Sequence, residues 1–344
     1  MDLLITCKPN YETILTRELL LHKYSIKARG NCWILAQFPS FCGVPLNQSI
    51  AERETQLCFA QTILINPIKI NASSVNEFAG KLADLFLASV KGKHIENTLP
   101  ALFLHADIES LSPRAKLVES NWRNKISKKM SRLAKLLKKP APFSSKPIEG
   151  FFAYFSDFNQ AFMADSAVIG PYLRMHMDKN APSRSYLKAE EAYILLDCQP
   201  QANEQLVDLG AAPGGWTYSA LKRKAKVIAI DNARMNKAIA NHPNITHLKQ
   251  DALKFKPGNK LNADWLFCDI IEKPEIILQV IHTWLKHGWC QKFIVNLKIG
   301  RCDPLAIIKK INDPETGLIG YCSILKIRQL YHDRQEITVT GKRI

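Results

Sequence analysis

The stretch that decides the fold reads Val207-Asp208-Leu209-Gly210-Ala211-Ala212-Pro213-Gly214-Gly215-Trp216. Its first three residues are typical of the end of a buried strand, and a helix is expected from Trp216 onward. The loop between them consists of small residues. Glycines let the backbone pass close to a ligand, and small side chains leave room for that ligand. The pattern therefore predicts a strand, a binding loop and a helix, which is the first unit of an α/β sheet.

Strand-like and helix-like segments alternate on both sides of this stretch, from Ser185 to the end of the chain. The predicted strands cover residues 205–209, 226–231, 245–249, 264–269, 292–297, 322–329 and 336–340, and the predicted helices begin near Ser185 and cover 216–224, 275–287 and 305–311. Strands separated by helices predict a mostly parallel sheet. The last two strands are joined only by residues 330–335, which is too short for a crossover, so that pair is expected to be antiparallel. We predict a Rossmann-like α/β domain with a seven-stranded sheet whose last strand is antiparallel.

The chain before residue 169 has a different character. Short strands and helices alternate there, with predicted strands at 3–7, 25–28, 32–38, 62–65 and 102–106, helices at 11–24 and 75–90, and an aromatic hairpin at 151–156 and 160–165. This order is compatible with an α+β architecture of ferredoxin-like type. The hairpin aromatics are expected in the core, with stacking on unpaired bases as the alternative.

Residues 114–139 form the most basic segment, with ten Lys and Arg against one Glu. Its apolar residues fall on one helical stripe, Trp122, Ile126, Met130, Leu133 and Leu137, so an amphipathic helix is predicted. The cations that face the other way are candidate RNA-phosphate contacts, namely Lys125, Lys128, Lys129, Arg132 and Lys135. A merely solvated face and a membrane-surface helix are the alternatives.

Composition narrows the class of protein. In 344 residues, Lys and Arg number 47 and Asp and Glu 31, a formal charge of +16, which favours a polyanionic partner such as nucleic acid over an anionic membrane surface. No apolar run approaches the roughly 18 residues of a membrane span. Asp2 and the Pro9-Asn10 turn do not fit a signal peptide. The nine cysteines include no Cys-x-x-Cys pair, so we expect reduced thiols, no metal site and a cytoplasmic location.

The loop after the first strand indicates which cofactor it binds. A dinucleotide fingerprint needs glycine where Ala212 stands, and Pro213 lacks an amide that could hold pyrophosphate. Asp231 ends the next strand, 23 residues after Asp208, near the spacing at which an acid binds ribose hydroxyls. Asp251 could meet an adenine edge. Together with Asp269 these acids favour a cofactor with an adenosine and a cationic sulfur, S-adenosylmethionine. The candidate cofactor residues are Asp208, Gly210, Ala212, Pro213, Gly214, Gly215, Trp216, Asp231, Asp251 and Asp269.

The residues after the fourth strand indicate the methyl acceptor. Methylation of base amino groups usually requires an Asn/Asp-Pro-Pro-aromatic loop, but the chain reads Cys268-Asp-Ile-Ile271. Methylation of pyrimidine carbon-5 requires a Pro-Cys loop, which is also missing there. A ribose hydroxyl needs a base and nearby positive charge. Four residues could supply both, with one lysine of depressed pKa taking the proton: Lys188, Asp269, Lys298 and Glu336.

These four residues resemble the Lys-Asp-Lys-Glu tetrad of the FtsJ-type ribose 2′-O-methyltransferases. More closely, the segments 181–192, 207–218, 268–274, 296–298 and 328–339 resemble the bacterial ribosomal RNA large subunit methyltransferase M family. The resemblance implies a class I methyltransferase domain, preceded by a ferredoxin-like and THUMP region, that methylates a cytidine 2′-hydroxyl in 23S rRNA. It further implies that Lys298 is the proton acceptor, and that the cofactor contacts include Ser185. The family commonly has Cys where this chain has Ala212.

The resulting domain division is 1–60 ferredoxin-like, 61–168 THUMP-like with the basic helix, 169–184 a linker and 185–344 the methyltransferase domain. A monomer is expected. Two alternatives remain open. The chain could methylate ribose in another RNA, or it could be a non-catalytic RNA-binding ribosome assembly factor.

Overall fold

The computed structural model describes residues 1–38, 57–144, 146–170, 175–258 and 262–344. The chain divides into two compact units, Met1–Tyr172 and Leu173–Ile344. Parts of the predicted first domain (39–56) and of the predicted linker (171–174) lie outside the described residues. In the described ranges no helix is long and apolar enough to cross a membrane.

The N-terminal unit is an α+β structure built on one sheet. Its strands are β1 (Asp2–Thr6), β2 (Ser25–Gly30), β3 (Trp33–Gln37), β4 (Ile63–Ile65), β5 (Ile68–Asn71), β6 (Leu99–His105), β7 (Leu137–Lys138), β8 (Ile148–Asp157) and β9 (Gln160–Val168). Its helices are α1 (Glu12–Leu21), α2 (Val75–Val90), α3 (Leu111–Lys129) and α4 (Ser131–Leu136). The sheet order is β2-β3-β1-β4-β9-β8-β6-β7, and β5 also pairs with β9. Because β1 pairs with β4, the sheet continues across residue 60, where the division into two domains stays a prediction.

Aromatic side chains form much of the core of this unit. Trp122 on α3 stacks on Phe151 of β8, with 4.6 Å between the ring centroids, and Phe86 of α2 packs edge-on against both rings. These three side chains are fully buried. The hairpin β8–β9 therefore presents its aromatics to the core, which confirms the first of the two interpretations of that hairpin.

The prediction of one continuous basic helix over residues 114–139 was wrong. The helix α3 ends at Lys129, because Met130 adopts the non-helical backbone angles φ −147° and ψ 73°, and α4 follows as a separate six-residue helix. Met130 is 44% exposed, whereas the other members of the apolar stripe, Trp122, Ile126, Leu133 and Leu137, are buried. The break therefore falls at the one residue of the stripe that does not pack into the core.

The C-terminal unit is a Rossmann-like α/β sheet, as predicted. Its strands are β10 (Gln205–Leu209), β11 (Lys226–Ile230), β12 (Ile245–Leu248), β13 (Ala263–Cys268), β14 (Cys290–Lys298), β15 (Cys322–Arg328) and β16 (Glu336–Arg343). Its helices are α5 (Tyr186–Leu196), α6 (Gly215–Leu221), α7 (Lys237–Ala240), α8 (Pro274–Lys286) and α9 (Pro304–Ile311). The seven strands lie in the order β12-β11-β10-β13-β14-β16-β15.

Strand direction in this sheet also agrees with the prediction. The pairs from β12 to β14 are parallel, and β16 runs antiparallel to both of its neighbours. Because parallel strands share one end, the residues that come after β10, β11, β13 and β14 gather at a single edge of the sheet, where such sheets bind ligands.

Local sequence sets the ends of several helices. The Ser74 hydroxyl accepts a hydrogen bond from the Glu77 amide (3.2 Å), and the Glu77 carboxylate accepts one from the Ser73 amide (2.9 Å), an arrangement that satisfies amides at the start of α2. At α9, the Asp303 carboxylate accepts from the Leu305 amide, and Pro304 is the first helical residue. The short helix α7 and the strand β5 were not predicted, since four residues carry little periodic signal.

Candidate active site

The loop between β10 and α6 is closely packed and depends on its glycines. Gly214 has φ +108°, and a Cβ there would lie 2.2 Å from Cδ1 of Ile239. A Cβ on Gly215 would lie 2.3 Å from the hydroxyl oxygens of both Ser183 and Ser185. A side chain at Gly214 would be strained by this φ and would displace Ile239, and a side chain at Gly215 would displace the two serine hydroxyls. The loop brings its backbone against Ser185, which precedes α5.

The acids that come after β11 and β12 hold turns at the same edge of the sheet. Asp231 accepts hydrogen bonds from the amides of Ala212 (3.0 Å) and Ala233 (2.8 Å), so it connects the glycine loop to the end of β11. Asp251 accepts from the Leu253 amide (3.0 Å), and its side chain is 43% exposed. The structure therefore brings Asp231 and the loop into contact and leaves Asp251 accessible to a ligand.

Two predicted cofactor residues, Asp208 and Trp216, have side chains that face the interior. Asp208 is 1% exposed and accepts a hydrogen bond of 2.6 Å from the Thr217 hydroxyl. Burial raises the pKa of this carboxyl to about 7, against the opposing effect of the Thr217 hydrogen bond. Trp216 is 2% exposed and packs edge-on against Phe267. Neither side chain reaches the surface, so a direct contact with a ligand would have to come from their backbone atoms.

The four residues of the predicted tetrad meet at one point. Nζ of Lys298 lies 2.5 Å from Oδ1 of Asp269 and 2.9 Å from Oε1 of Glu336. Nζ of Lys188 lies 2.5 Å from Oε2 of Glu336 and 3.7 Å from Oδ1 of Asp269. Their side chains are between 11% and 20% exposed. Two ammonium groups and two carboxylates thus alternate in a compact, largely buried cluster that remains open to solvent.

The elements that hold the tetrad explain its geometry. Lys298 is the last residue of β14, and Glu336, the first of β16, is its direct cross-strand partner. Asp269 comes directly after the adjacent strand β13, and Lys188 lies in the first turn of α5. Lys188 and Glu336, which are 148 positions apart in the sequence, are therefore brought together by strand pairing and by one helix that packs beside β16.

The pKa of Lys298 differs from the sequence prediction, in which one lysine of the tetrad has a depressed pKa. Burial does disfavour the charged form of Lys298, but the charges of Asp269 and Glu336 outweigh it and hold its pKa above the ordinary lysine value. The pKa of Glu336 is lowered because the two lysines outweigh the opposing effect of burial. The prediction of a depressed pKa was therefore wrong for this state of the protein, in which the cluster is a saturated ion-pair network.

Sequence reasoning missed a buried polar layer behind Lys298. The Asn296 side-chain oxygen accepts a hydrogen bond from Nζ of Lys298 (2.7 Å), and its amide nitrogen donates to Asp333 (2.8 Å) and to the Thr338 hydroxyl (3.2 Å). Asn296 and Thr338 are fully buried and Asp333 nearly so. Burial raises the pKa of Asp333 to about 7. The available signal was Asn296 itself, a polar residue inside an apolar strand and two positions before Lys298, hence on the same face.

Glu191 is a second residue that the sequence analysis overlooked. It lies on α5, less than one turn beyond Lys188, and is 8% exposed. Its carboxylate accepts hydrogen bonds from the amides of Tyr331 (2.6 Å) and His332 (3.0 Å) and contacts Nδ1 of His332 (3.0 Å). The helix that carries Lys188 is thereby attached to the loop that carries Asp333.

The predicted RNA-contacting cations lie in the N-terminal unit. Lys128 and Lys129 are exposed at the end of α3, Arg132 and Lys135 are exposed on α4, and Lys125 is half-buried. Lys129 also pairs with Asp84 at 3.3 Å. Among the described residues, no group of three or more His, Cys, Asp or Glu could hold a metal ion.

Comparison with known proteins identifies the class of the C-terminal unit. Residues 181–294 match the family of FtsJ-like methyltransferases. This segment contains the glycine loop, Lys188 and Asp269, and residues 181–294 of the C-terminal unit are accordingly similar to FtsJ-like methyltransferases.

The names of the curated relatives are more specific than the family match. The ribosomal RNA large subunit methyltransferase M of Halorhodospira halophila is 40% identical over 176 residues, which cover 50% of this chain and 50% of the relative. The protein of the same name from Yersinia enterocolitica is 38% identical over 180 residues, which cover 50% of this chain and 49% of the relative. The chain spans about half the length of these relatives. Among solved structures, the Methanococcus jannaschii fibrillarin pre-rRNA processing protein aligns with a TM-score of 0.37 and 18% identity over 52% of this chain and 79% of that one.

Proposed function

We propose that this protein transfers a methyl group from S-adenosylmethionine to the 2′-hydroxyl of a ribose, that of a cytidine in 23S rRNA. The observation that carries the proposal is the meeting of Lys188, Asp269, Lys298 and Glu336 at the ligand-binding edge of the sheet. The FtsJ-like family and the names of the curated relatives support the reaction class and the rRNA substrate. We further propose that the protein acts in the cytoplasm as a monomer.

The residues at the sheet edge fit S-adenosylmethionine. Carboxylates of Asp231, Asp251 and Asp269 come after successive strands, and acids in these positions accept hydrogen bonds from ribose and favour a cation while repelling a pyrophosphate. The close-packed backbone at Gly214 and Gly215 would hold the cofactor beside Ser185. When bound, the cofactor supplies an electrophilic methyl group.

The tetrad performs the proton chemistry at the acceptor. A ribose hydroxyl is a weak nucleophile until its proton leaves, and Nζ of Lys298 is placed to accept that proton once it is neutral. Because Asp269 is the largest source of the raised pKa of Lys298, any cation that engages Asp269 would lower that pKa and favour the neutral amine. Lys188 remains paired with Glu336 and offsets the negative charge that builds on the oxygen.

The N-terminal unit would hold the rRNA. Its exposed cations Lys128, Lys129, Arg132 and Lys135 suit phosphate contacts, which position folded RNA without reading its sequence. Lys125 would contribute less because it is half-buried.

The test is methylation of protein-free total rRNA with tritium-labelled S-adenosylmethionine, followed by nuclease mapping. We expect the label on one cytidine of 23S rRNA and in alkali-resistant dinucleotides, since a 2′-O-methyl group blocks alkaline cleavage. Lys298→Met should lower the single-turnover rate by about 10²–10⁴-fold, with cofactor affinity unchanged in calorimetry. Lys226→Glu, at the opposite end of the sheet, is the matched control.

Each part of the proposal has its own refutation. Full turnover by Lys298→Met would remove the assigned base. Label in mononucleotides released by alkali would show methylation of a base. Label in another RNA would show that this RNA, and not 23S rRNA, is the substrate. Normal cellular function of both Lys298→Met and Asp231→Ala would support the non-catalytic assembly factor instead.

A further inference from the structure

A cleft of about 900 Å³ opens beside Lys298 and Glu336. Its walls come from three segments, residues 271–275 after β13, residues 300–302 after β14 and residues 334–335 before β16. Each segment adjoins a member of the tetrad in the sequence, since they neighbour Asp269, Lys298 and Glu336 respectively. The volume lies within the range of sites that enclose a nucleotide-sized ligand.

Each of the three walls contributes one exposed cation. Lys273 lies four residues after Asp269, Arg301 lies three after Lys298, and Arg334 precedes Glu336 by two. In the described part of the chain, neither Lys273 nor Arg301 has a carboxylate within ion-pair distance. Three acids also line the cleft. Glu336 is paired with the two tetrad lysines, Glu275 is paired with Lys310 at 3.2 Å, and Glu272 accepts a backbone hydrogen bond. The cleft therefore presents positive charge on several sides.

An apolar residue, Ile271, stands at the opening. Its exposed fraction, 88%, is the highest among the exposed large hydrophobic residues that the structure describes. A single exposed apolar side chain needs no explanation by itself. Here it lies two residues after Asp269 and lines the same cleft as Arg301 and Arg334. A wall that combines an apolar surface with separated cations matches a nucleotide, which has a flat base between two phosphates.

We propose that this acceptor cleft (residues 271–275, 300–302 and 334–335) binds an unpaired RNA nucleotide, with its base against Ile271 and its flanking phosphates on Arg301, Arg334 and Lys273. The inference rests on the proposed function and adds the residues that select and hold the acceptor. The positive charge of the walls favours a polyanion over an acidic peptide of lower charge density, because each phosphate offers several strong acceptor oxygens.

The depth of the tetrad favours an unpaired nucleotide over a duplex. The side chain of Lys298 is 20% exposed and that of Asp269 is 16% exposed, so the reacting nitrogen lies below the surface. Sequence-specific RNA proteins generally take splayed, unpaired nucleotides from loops and bulges, because a rigid helix does not enter a recess.

The experiment measures binding of a fluorescein-labelled nonacytidylate RNA to the full chain by anisotropy at several KCl concentrations. A second RNA has an abasic central nucleotide, and a third carries 4-thiouridine there for photocrosslinking. The variants are Arg301→Glu/Arg334→Glu and Ile271→Ala, with Lys226→Glu as the control because Lys226 is exposed at the amino end of β11. Binding through the N-terminal unit is common to all of them.

We expect the double charge reversal to weaken binding by roughly tenfold and to reduce the salt slope by about 1.4, the value for two phosphate contacts to single-stranded RNA. Ile271→Ala should weaken binding of the intact RNA but not of the abasic one, and crosslinks should fall within the acceptor cleft. Unchanged affinity and salt slope in the double variant, or crosslinks confined to residues 111–139, would overturn the inference. None of these measurements requires methyl transfer, so the cleft and the proposed reaction can fail separately.

Discussion

Asn296→Ala is the most informative single substitution, because it changes the position of the Lys298 side chain and leaves the lysine itself in place. The change removes three hydrogen bonds, to Nζ of Lys298, to Asp333 and to the Thr338 hydroxyl. The bond from the Lys298 ammonium involves a charge and is partly buried, and the other two bonds are buried. A stability loss of about 3 kcal/mol is expected from these bonds. The rate should fall by about 100-fold, because a reacting group displaced by about 1 Å loses that much.

The assay is a single-turnover measurement of methyl transfer to protein-free rRNA at saturating S-adenosylmethionine, beside urea unfolding of the same samples. The matched control is Thr340→Val. Thr340 is fully buried on β16, and its hydroxyl donates to the Phe293 carbonyl at 2.9 Å without contacting the tetrad. This control should lose about 1 kcal/mol of stability and keep its rate.

Two results would contradict the reasoning. If Asn296→Ala retained a rate within threefold of the wild type, Asn296 would not be a positioning residue. If Thr340→Val lost as much rate as Asn296→Ala, the defect would reflect general loosening of β14 and β16. An unchanged affinity for S-adenosylmethionine in calorimetry would show that the cofactor side of the site is intact in both variants.

Charges in the two units give three further predictions. Because only the neutral amine of Lys298 accepts a proton and the carboxylates of Asp269 and Glu336 raise its pKa, the single-turnover rate should rise with pH and level off above the pKa that Lys298 has in the cofactor complex, with Asp269→Asn shifting the curve to lower pH; a rate that is unchanged between pH 5 and 9 would exclude Lys298 as the base. The pKa of Asp333 is raised from 3.8 to about 7 by burial, so its protonated form stabilises the fold and about 4 kcal/mol is lost as pH rises from about 4 to about 7; Asp333→Asn should flatten urea-unfolding stability between pH 5 and 7, and an unchanged slope would contradict this. Replacing Lys128, Lys129, Arg132 and Lys135 together by Glu should weaken rRNA binding and its salt dependence without changing cofactor affinity, and equal binding would reduce this surface to a solvated face.

The C-terminal fold was predictable because its signals are local and strong. Strand β10 was predicted with its observed bounds, and the antiparallel last pair followed from the short connection at residues 330–335. Where the sequence failed, the local signal was weak or tertiary packing decided the outcome. The periodic stripe through Met130 continued beyond the end of α3, because periodicity shows which face is apolar but not whether the backbone stays helical.

The site was predictable in membership but not in electrostatics. Each tetrad residue could be placed at a strand or helix end, so its meeting with the others followed from the topology. The raised pKa of Lys298 depends on distances of 2.5 Å and 2.9 Å to two carboxylates, which no spacing in the sequence supplies. Asp333 and Glu191 were missed for a related reason, since their partners lie on other elements.

The position of β16 between β14 and β15 also affects when the tetrad can be completed during translation. Glu336 lies opposite Lys298 because β16 pairs with β14 on one side and with β15 on the other, and both of these strands precede it in the sequence. A prematurely terminated product that stops between residues 299 and 335 would carry the glycine loop, Asp269 and Lys298 yet lack Glu336, one of the two acids that contact both lysines. The residues proposed to bind S-adenosylmethionine are thus synthesised before Glu336, the last member of the tetrad in the sequence.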